Sequence, residues 1–398
     1  MKSTLLLIAA FAFGLCTLSA QTEMRNRPAD YLPGKPVLTQ DTLHILAVMV
    51  EFQEDDHSTT VGNGKFPSIY SKNWGQSIID PLPHDKAYFE GHLLFAKNYF
   101  EKVSGGKQPI TYTVLPQVVT VSKVMREYSP VINSDNYTPL GEFSQEAWTL
   151  ASQAHPDVDF SRFNLFTIFH AGVGRSVALP GSLGNERDLP SLYIGLPMFQ
   201  KFFGASFDGI PVNNGAFKIT NSMLLPQTES RELSSFNSTY LFEISTNGLL
   251  VSSIASHLGL PDLFNTNTGG SAIGRFGLMD GQAIYGYAGV FPPEPSAWEK
   301  IYLGWAQPEV LQDFGTDISL ASRLAATLTD TVILKVPISA TEYYLIENRQ
   351  RDVAKNGVTV TMLVNGVATQ KTFTKDTTGF NAISIDSLNG IITDIDEF

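Results

Sequence analysis

Between Gly248 and Trp305 the chain reads GLLVSSIASHLGLPDLFNTNTGGSAIGRFGLMDGQAIYGYAGVFPPEPSAWEKIYLGW. The opening run, Gly248 to Leu258, is apolar or small at almost every position and predicts a buried helix. Gly259 marks its end, and a loop rich in Gly, Asn and Thr follows.

Upstream, Leu43 to Phe52 is a nearly unbroken apolar run of strand length, as in a central strand buried on both faces. A long loop separates it from a helix beginning at Asp85, where Phe89, Leu93, Ala96, Phe100 and Val103 recur at helical spacing and Gly105-Gly106 supplies the cap. Ile110, Tyr112 and Val114 alternate as a strand. Glu142 to Ala154 predicts a second helix, and Phe163 to Phe169 a buried strand after which His170 opens a Gly-rich turn. Strand, helix, strand, helix, strand is the order of an α/β layer. Downstream of Trp305, Thr331 to Val336, Glu342 to Glu347 and Val358 to Val364 are short β-type runs broken by Asn356-Gly357 and Asn365-Gly366. Ile383 to Ile395 reads as strand, Asn389-Gly390 turn and strand, and the β-rich portion is either naturally short or incomplete. No repeat of solenoid or propeller period is present.

At the other end, Lys2, the apolar run Leu5 to Leu18 and the small residues before Gln21 have the layout of a secretory signal peptide cleaved after Ala20. A lipid-attached Cys16 is the minor alternative. Cys16 is the only cysteine of the 398 residues, so the mature chain has neither disulfide nor thiol chemistry. The expected location is secreted or extracellular, with the periplasm or cell surface as variants. The chain carries 27 Lys and Arg against 39 Asp and Glu, a net charge of −12, which argues against nucleic acid as a partner. With 43% hydrophobic and 17% charged residues it can bury a sizeable core, and no stretch after the leader reaches the length of a membrane helix.

Gly259-Leu260-Pro261-Asp262, Gly277 to Asp280, and Ala297-Trp298-Glu299-Lys300 with Leu303-Gly304-Trp305 together resemble the active-site region of immune-inhibitor-A-type secreted metallopeptidases, the M-six peptidase family. Asn98 to Gly106, His170 to Gly174 and Glu342 to Gln350 add weaker matches across the mature chain. The resemblance implies an α/β (α+β) metallopeptidase-like fold of the zincin or metzincin kind over 43–310, followed by a β-rich C-terminal domain over 311–398. A leader (1–20) and a polar lead-in (21–42) precede them.

The resemblance also implies zinc held by H-E-x-x-H, followed by x-x-G-x-x-D with the Asp as third ligand. Aligning Gly259 and Asp262 with that pattern puts the two ligand His at Ser252 and Ser256, and the catalytic Glu at Ser253. Serine hydroxyls are poor zinc ligands, and Ser253 cannot take a proton from metal-bound water. Sliding the register to use His257 pairs it with Ser253 and misplaces Gly and Asp, so His257 reads as a helix-end residue, where an imidazolium is mildly favoured. Asp262 becomes a relic third-ligand position or a loop cap. Met279 stands at the turn that floors the metal in the family, and otherwise fills core. Asn265, Asn267 and Asp280 could offer oxygens to calcium, although no EF-hand ladder is present. Ser252, Ser253 and Ser256 lie near His257 in sequence but lack an elbow motif and an orienting acid for nucleophilic work.

The expected function is that of a metallopeptidase-family protein that has lost its zinc and binds an extracellular peptide or protein. The alternatives are an active secreted metalloendopeptidase with an unrecognised metal site, and an extracellular structural or adhesion protein.

Overall fold

The computed structural model describes residues 42–398 apart from 76–77, 133, 177–185, 236–237, 266–269, 282–285, 313–314, 316, 328 and 375–386. The expected leader, nearly all of the lead-in and the start of the strand read from Ile383 lie outside these residues. The fold is mixed α/β with a β-rich C-terminal region.

Its centre is β1 (Leu43–Glu51), flanked by β2 (Ile110–Val114) and β4 (Leu165–Val173), both parallel to it. β3 (Val119–Thr120) pairs with the end of β1. β5 (Leu192–Gly195) forms the edge, antiparallel to β8 (Asn221–Thr228), which runs parallel to β4. The order is β2-β1-β4-β8-β5. Short hairpins, β6 (Ile210–Val212) with β7 (Phe217–Ile219) and β9 (Arg231–Ser235) with β10 (Ser238–Phe242), bracket β8 in sequence.

Because side chains alternate along a strand, β1 serves two cores. Leu43, Ile45, Ala47 and Met49 enter the cluster under α1 (Lys86–Val103) and α5 (Asn247–His257). Leu46, Val48 and Val50 enter the other, with α2 (Met125–Tyr128), α3 (Thr138–Ala154) and α4 (Leu196–Phe203). Helix α1 keeps the expected limits. Asp85 accepts from the N–H groups of Ala87 and Tyr88, and Gly105 and Gly106 take φ of 64° and 78° to turn the chain out of the helix. Helix α3 begins four residues before the expected start, at Thr138, because Pro139 suits a first turn.

His170 lies within β4, which continues fully buried to Val173, rather than opening a turn.

Helix α6 (Ala297–Tyr302) precedes the β-rich region, where β11 (Glu309–Val310), β12 (Ile333–Pro337) and β13 (Tyr343–Glu347) form one sheet. β14 (Val358–Val364), between β15 (Val367–Phe373) and β16 (Ile391–Ile395), forms another. The second sheet lies on α1: Asn98 donates to the carbonyl of Thr393 at 3.0 Å and Lys102 pairs with Asp394 at 2.5 Å. A Cβ on Gly91 of α1 would stand 2.9 Å from Ile391, so the close approach requires glycine. Val360, Met362 and Ile392 share one buried cluster with α1 and α5. No helix among the described residues is long and apolar enough to cross a membrane.

Candidate functional site

Helix α5 follows β10 and packs beside β5. Ser252, Ser253 and Ser256 are almost fully buried on it. Their hydroxyls turn back onto the helix: Ser252 donates to Leu249 O at 3.0 Å, Ser253 to the same carbonyl at 2.8 Å, and Ser256 to Ser252 O at 3.2 Å. Burying a hydroxyl requires a partner, and these serines find one within a turn of themselves. No three His, Cys, Asp or Glu side chains among the described residues are grouped to hold a metal. The donors on the helix do not fit zinc, which needs imidazole, thiolate or carboxylate.

At the helix end, Nδ1 of His257 lies 3.1 Å from the Tyr193 hydroxyl on β5, and the two rings meet edge to face. Burial pushes the imidazole pKa down to about 4 and the Tyr193 phenol well up. Both are neutral near pH 7, which replaces the imidazolium expected for a helix-end His. At the other end of α5, Asn247 donates to Ile392 O at 3.0 Å. Its amide oxygen therefore faces His92, which donates from Nδ1 at 2.7 Å. Burial lowers the His92 pKa. Asn247 thus ties α5 to α1 and to β16.

Beyond the helix, Gly259 adopts φ 97°, and the N–H groups of Gly259 and Leu260 return to Ser256 O and Ala255 O, closing α5 as a glycine-capped end. Asp262 is half-buried in the loop that follows. The next residue, Leu263, donates to Met279 O at 3.0 Å, so the two Gly-Leu motif turns are joined through backbone. Met279 is buried in the core cluster of α1 and α5. Asp280 is fully buried, and one of its oxygens accepts from Ser271 Oγ and from the N–H groups of Ala272, Ile273 and Gly274 at 2.9–3.0 Å. That oxygen clamps the loop from within. Asn265 holds the loop neck, its N–H donating to Gly270 O at 2.8 Å. Asn267 lies outside the described residues.

Sequence reading missed the role of Glu299. It is fully buried, and its carboxylate accepts from the N–H groups of Leu278 (3.2 Å), Met279 (2.9 Å) and Ser296 (2.5 Å), while Ser296 caps α6 in return. Two of the motif segments are therefore bound to each other. The Ser296-x-x-Glu299 capping box was the available signal. Glu347 and Arg349 from the EYYLIENRQ segment complete the join. Glu347 accepts from Ala297 N at 3.2 Å, and Arg349 donates to Glu294 O and Pro295 O.

A second buried polar set was also missed. Asp80 is bonded by Tyr88 and Thr228, with His84 Nε2 3.7 Å away and Gln227 joining His84 to Phe66 O. The spacing Asp80, His84, Tyr88 was its signal. Its members are sealed in the core, and burial keeps Tyr88 protonated and lowers the His84 pKa. Such a set rigidifies the meeting point of α1 and β8.

No family model matches the chain, and no curated protein matches it.

Proposed function

We propose that the chain is a secreted, metallopeptidase-like protein that does not hydrolyse peptides and instead holds an extended peptide or protein segment beside α5. The observation that carries this is the state of Ser252, Ser253 and Ser256, each buried and donating to the backbone of its own helix. A nucleophile needs a base within hydrogen-bond reach, and a zinc site needs imidazoles one turn apart. The serines offer neither, and His257 is paired with Tyr193 instead.

What supports binding is the neighbouring strand. β5 pairs with β8 on one side only among the described residues. An edge strand of this kind accepts an added strand through its free N–H and C=O groups. Secretion rests on the leader pattern of residues 1–20. The test is incubation of the mature protein with reduced, alkylated casein peptides. The proposal predicts saturable binding, unshortened peptides and slower hydrogen exchange at the amides of Leu192 to Gly195. Chelator-sensitive shortening of the peptides, or binding that leaves those amides unprotected, would contradict it.

A further inference from the structure

A cavity of about 640 Å³ lies between the C-terminal end of α1, the loop carrying Arg275, helix α6 and the β-rich region. In a chain of net charge −12, it is lined among the described residues by Lys107, Arg275, Lys300, Arg323, Arg349 and Arg351, with Glu294 and Glu347 as the acidic side chains and Phe398 on the same wall. The two carboxylates are already engaged. Lys300 pairs with Glu294 at 3.2 Å and Glu347 at 3.7 Å, Arg323 also pairs with Glu294, and Arg349 pairs with Glu347 at 2.9 Å. These contacts hold α6 against β13 and have a structural role.

The surplus is what matters. Lys107 donates to the carbonyl of Trp305 at 2.6 Å and has no ion-pair partner among the described residues. Arg275 and Arg351 have no ion-pair partner among the described residues. Arg351 stands 6.0 Å from the Phe291 ring. Burial lowers its pKa first, Arg275 and Arg349 lower it further, and Tyr287 and Glu397 oppose them. Like charges gathered in a partly desolvated pocket repel unless an anion lies among them. The remaining wall is apolar, from Phe276, Pro293, Trp305 and Ile333. Phe276 is 64% exposed, so its ring is free to cover a ligand in the cavity. A few convergent charges on an apolar wall is the make-up of a small-molecule site.

We propose that this cavity binds a small dianion carrying an aromatic or other apolar group, with Arg275 and Arg351 gripping the charged end and Phe276 and Trp305 covering the apolar end. Guanidinium forks suit phosphate and carboxylate alike, so the ligand is a phosphate monoester or a dicarboxylate. The site is independent of the serines on α5. It shares none of their residues.

The test is calorimetric titration of the mature protein with phenyl phosphate, phenylsuccinate, inorganic phosphate and phenol. At least one of the two aromatic dianions is expected to saturate one site per chain below about 1 mM, tighter than inorganic phosphate, with phenol unbound. Which one binds identifies the charged group. Arg275→Gln and Arg351→Gln are each expected to weaken binding about tenfold. Lys123→Gln removes the same charge from a surface pair with Glu142, and is expected to leave binding unchanged. Failure of both dianions to saturate, or equal weakening by Lys123→Gln, overturns the assignment. Arg275 is exposed, so its variant keeps the test decisive if Arg351→Gln does not fold.

Discussion

The main-chain N–H of Met279 donates to the buried carboxylate of Glu299 at 2.9 Å, fastening the Gly277–Asp280 turn to helix α6. The same carboxylate accepts from Leu278 and Ser296, so its loss strands buried N–H groups. Glu299→Ala is expected to lower unfolding stability by about 3 kcal/mol or more, and Glu299→Gln by about 2 kcal/mol, since an amide presents one acceptor oxygen where two are used. Urea denaturation of the folded variants measures this. A change below about 0.5 kcal/mol would mean that the join does not hold the turn.

Gly277 sits against the same carboxylate. A Cβ there would meet Ile273 at 2.1 Å and Glu299 at 2.9 Å. Its φ is not left-handed, so the requirement for glycine is one of space. Gly277→Ala is therefore expected to cost about 1–3 kcal/mol. Gly105→Ala, with open space around its Cβ but φ of 64°, separates backbone strain from crowding and is expected to cost about 1 kcal/mol.

His170 donates from Nδ1 to Ala171 O at 2.9 Å, and its ring meets the stacked pair Phe52 and Phe143 edge to face. Burial lowers its pKa to about 4, against about 6.5 in an unfolded chain. The folded state therefore binds fewer protons, and stability that is full above about pH 6.5 is lost as the pH falls towards 4. The group can account for about 3 kcal/mol over that window. His170→Gln is expected to flatten the dependence of the thermal midpoint on pH between about 4 and 6.5. The buried His84, His92 and His257 oppose protonation as well, so part of the slope remains; an unchanged slope would show that His170 is not one of the groups responsible.

Among the described residues the hydroxyls of Ser252, Ser253 and Ser256 bond only within α5. Replacing each by alanine removes donor and desolvation cost together, so stability should stay within about 1 kcal/mol. Peptide binding should persist in all three variants. A loss of binding or of any hydrolysis in one of them would assign that serine a chemical role.

Ser252→His, Ser253→Glu and Ser256→His made together place larger side chains at positions that are 1–3% exposed. The metal-free variant is expected to be destabilised by several kcal/mol from crowding. Zinc should then raise its thermal midpoint while leaving the wild type unmoved. A folded variant that ignores zinc would refute the alignment of Ser252 and Ser256 with the family's metal ligands.

The limits of α1 and β14 were legible because caps and periodicity agree there, as at Asp85 and Asn365-Gly366. β8 was not. It is fully buried, yet its NSMLLPQT sequence mixes polar residues and a proline into the run and carries no strand pattern. Its polar side chains are bonded inside: Ser222 accepts from the Trp148 indole and Gln227 donates to Phe66 O. Pro226, which lacks an N–H to donate, pairs with His170 where the register with β4 begins to shift. The Gly172 that follows His170 reads as a turn, whereas Gly172 takes φ 98° within the strand and donates its N–H to Gln227 Oε1. At the candidate site, the serines were identified by position alone. Their bonding, the pairing of His257 with Tyr193 and the reach of Glu299 depend on contacts between distant segments, which no local pattern encodes.

The central claim is that α5 carries no zinc site. The most direct measurement is the zinc-to-protein ratio of the mature chain, by mass spectrometry after zinc saturation and exhaustive dialysis, with casein hydrolysis followed in the same sample. The account predicts far less than one zinc per chain and no chelator-sensitive cleavage. A ratio near one, with cleavage abolished by chelator and restored by zinc, would contradict it.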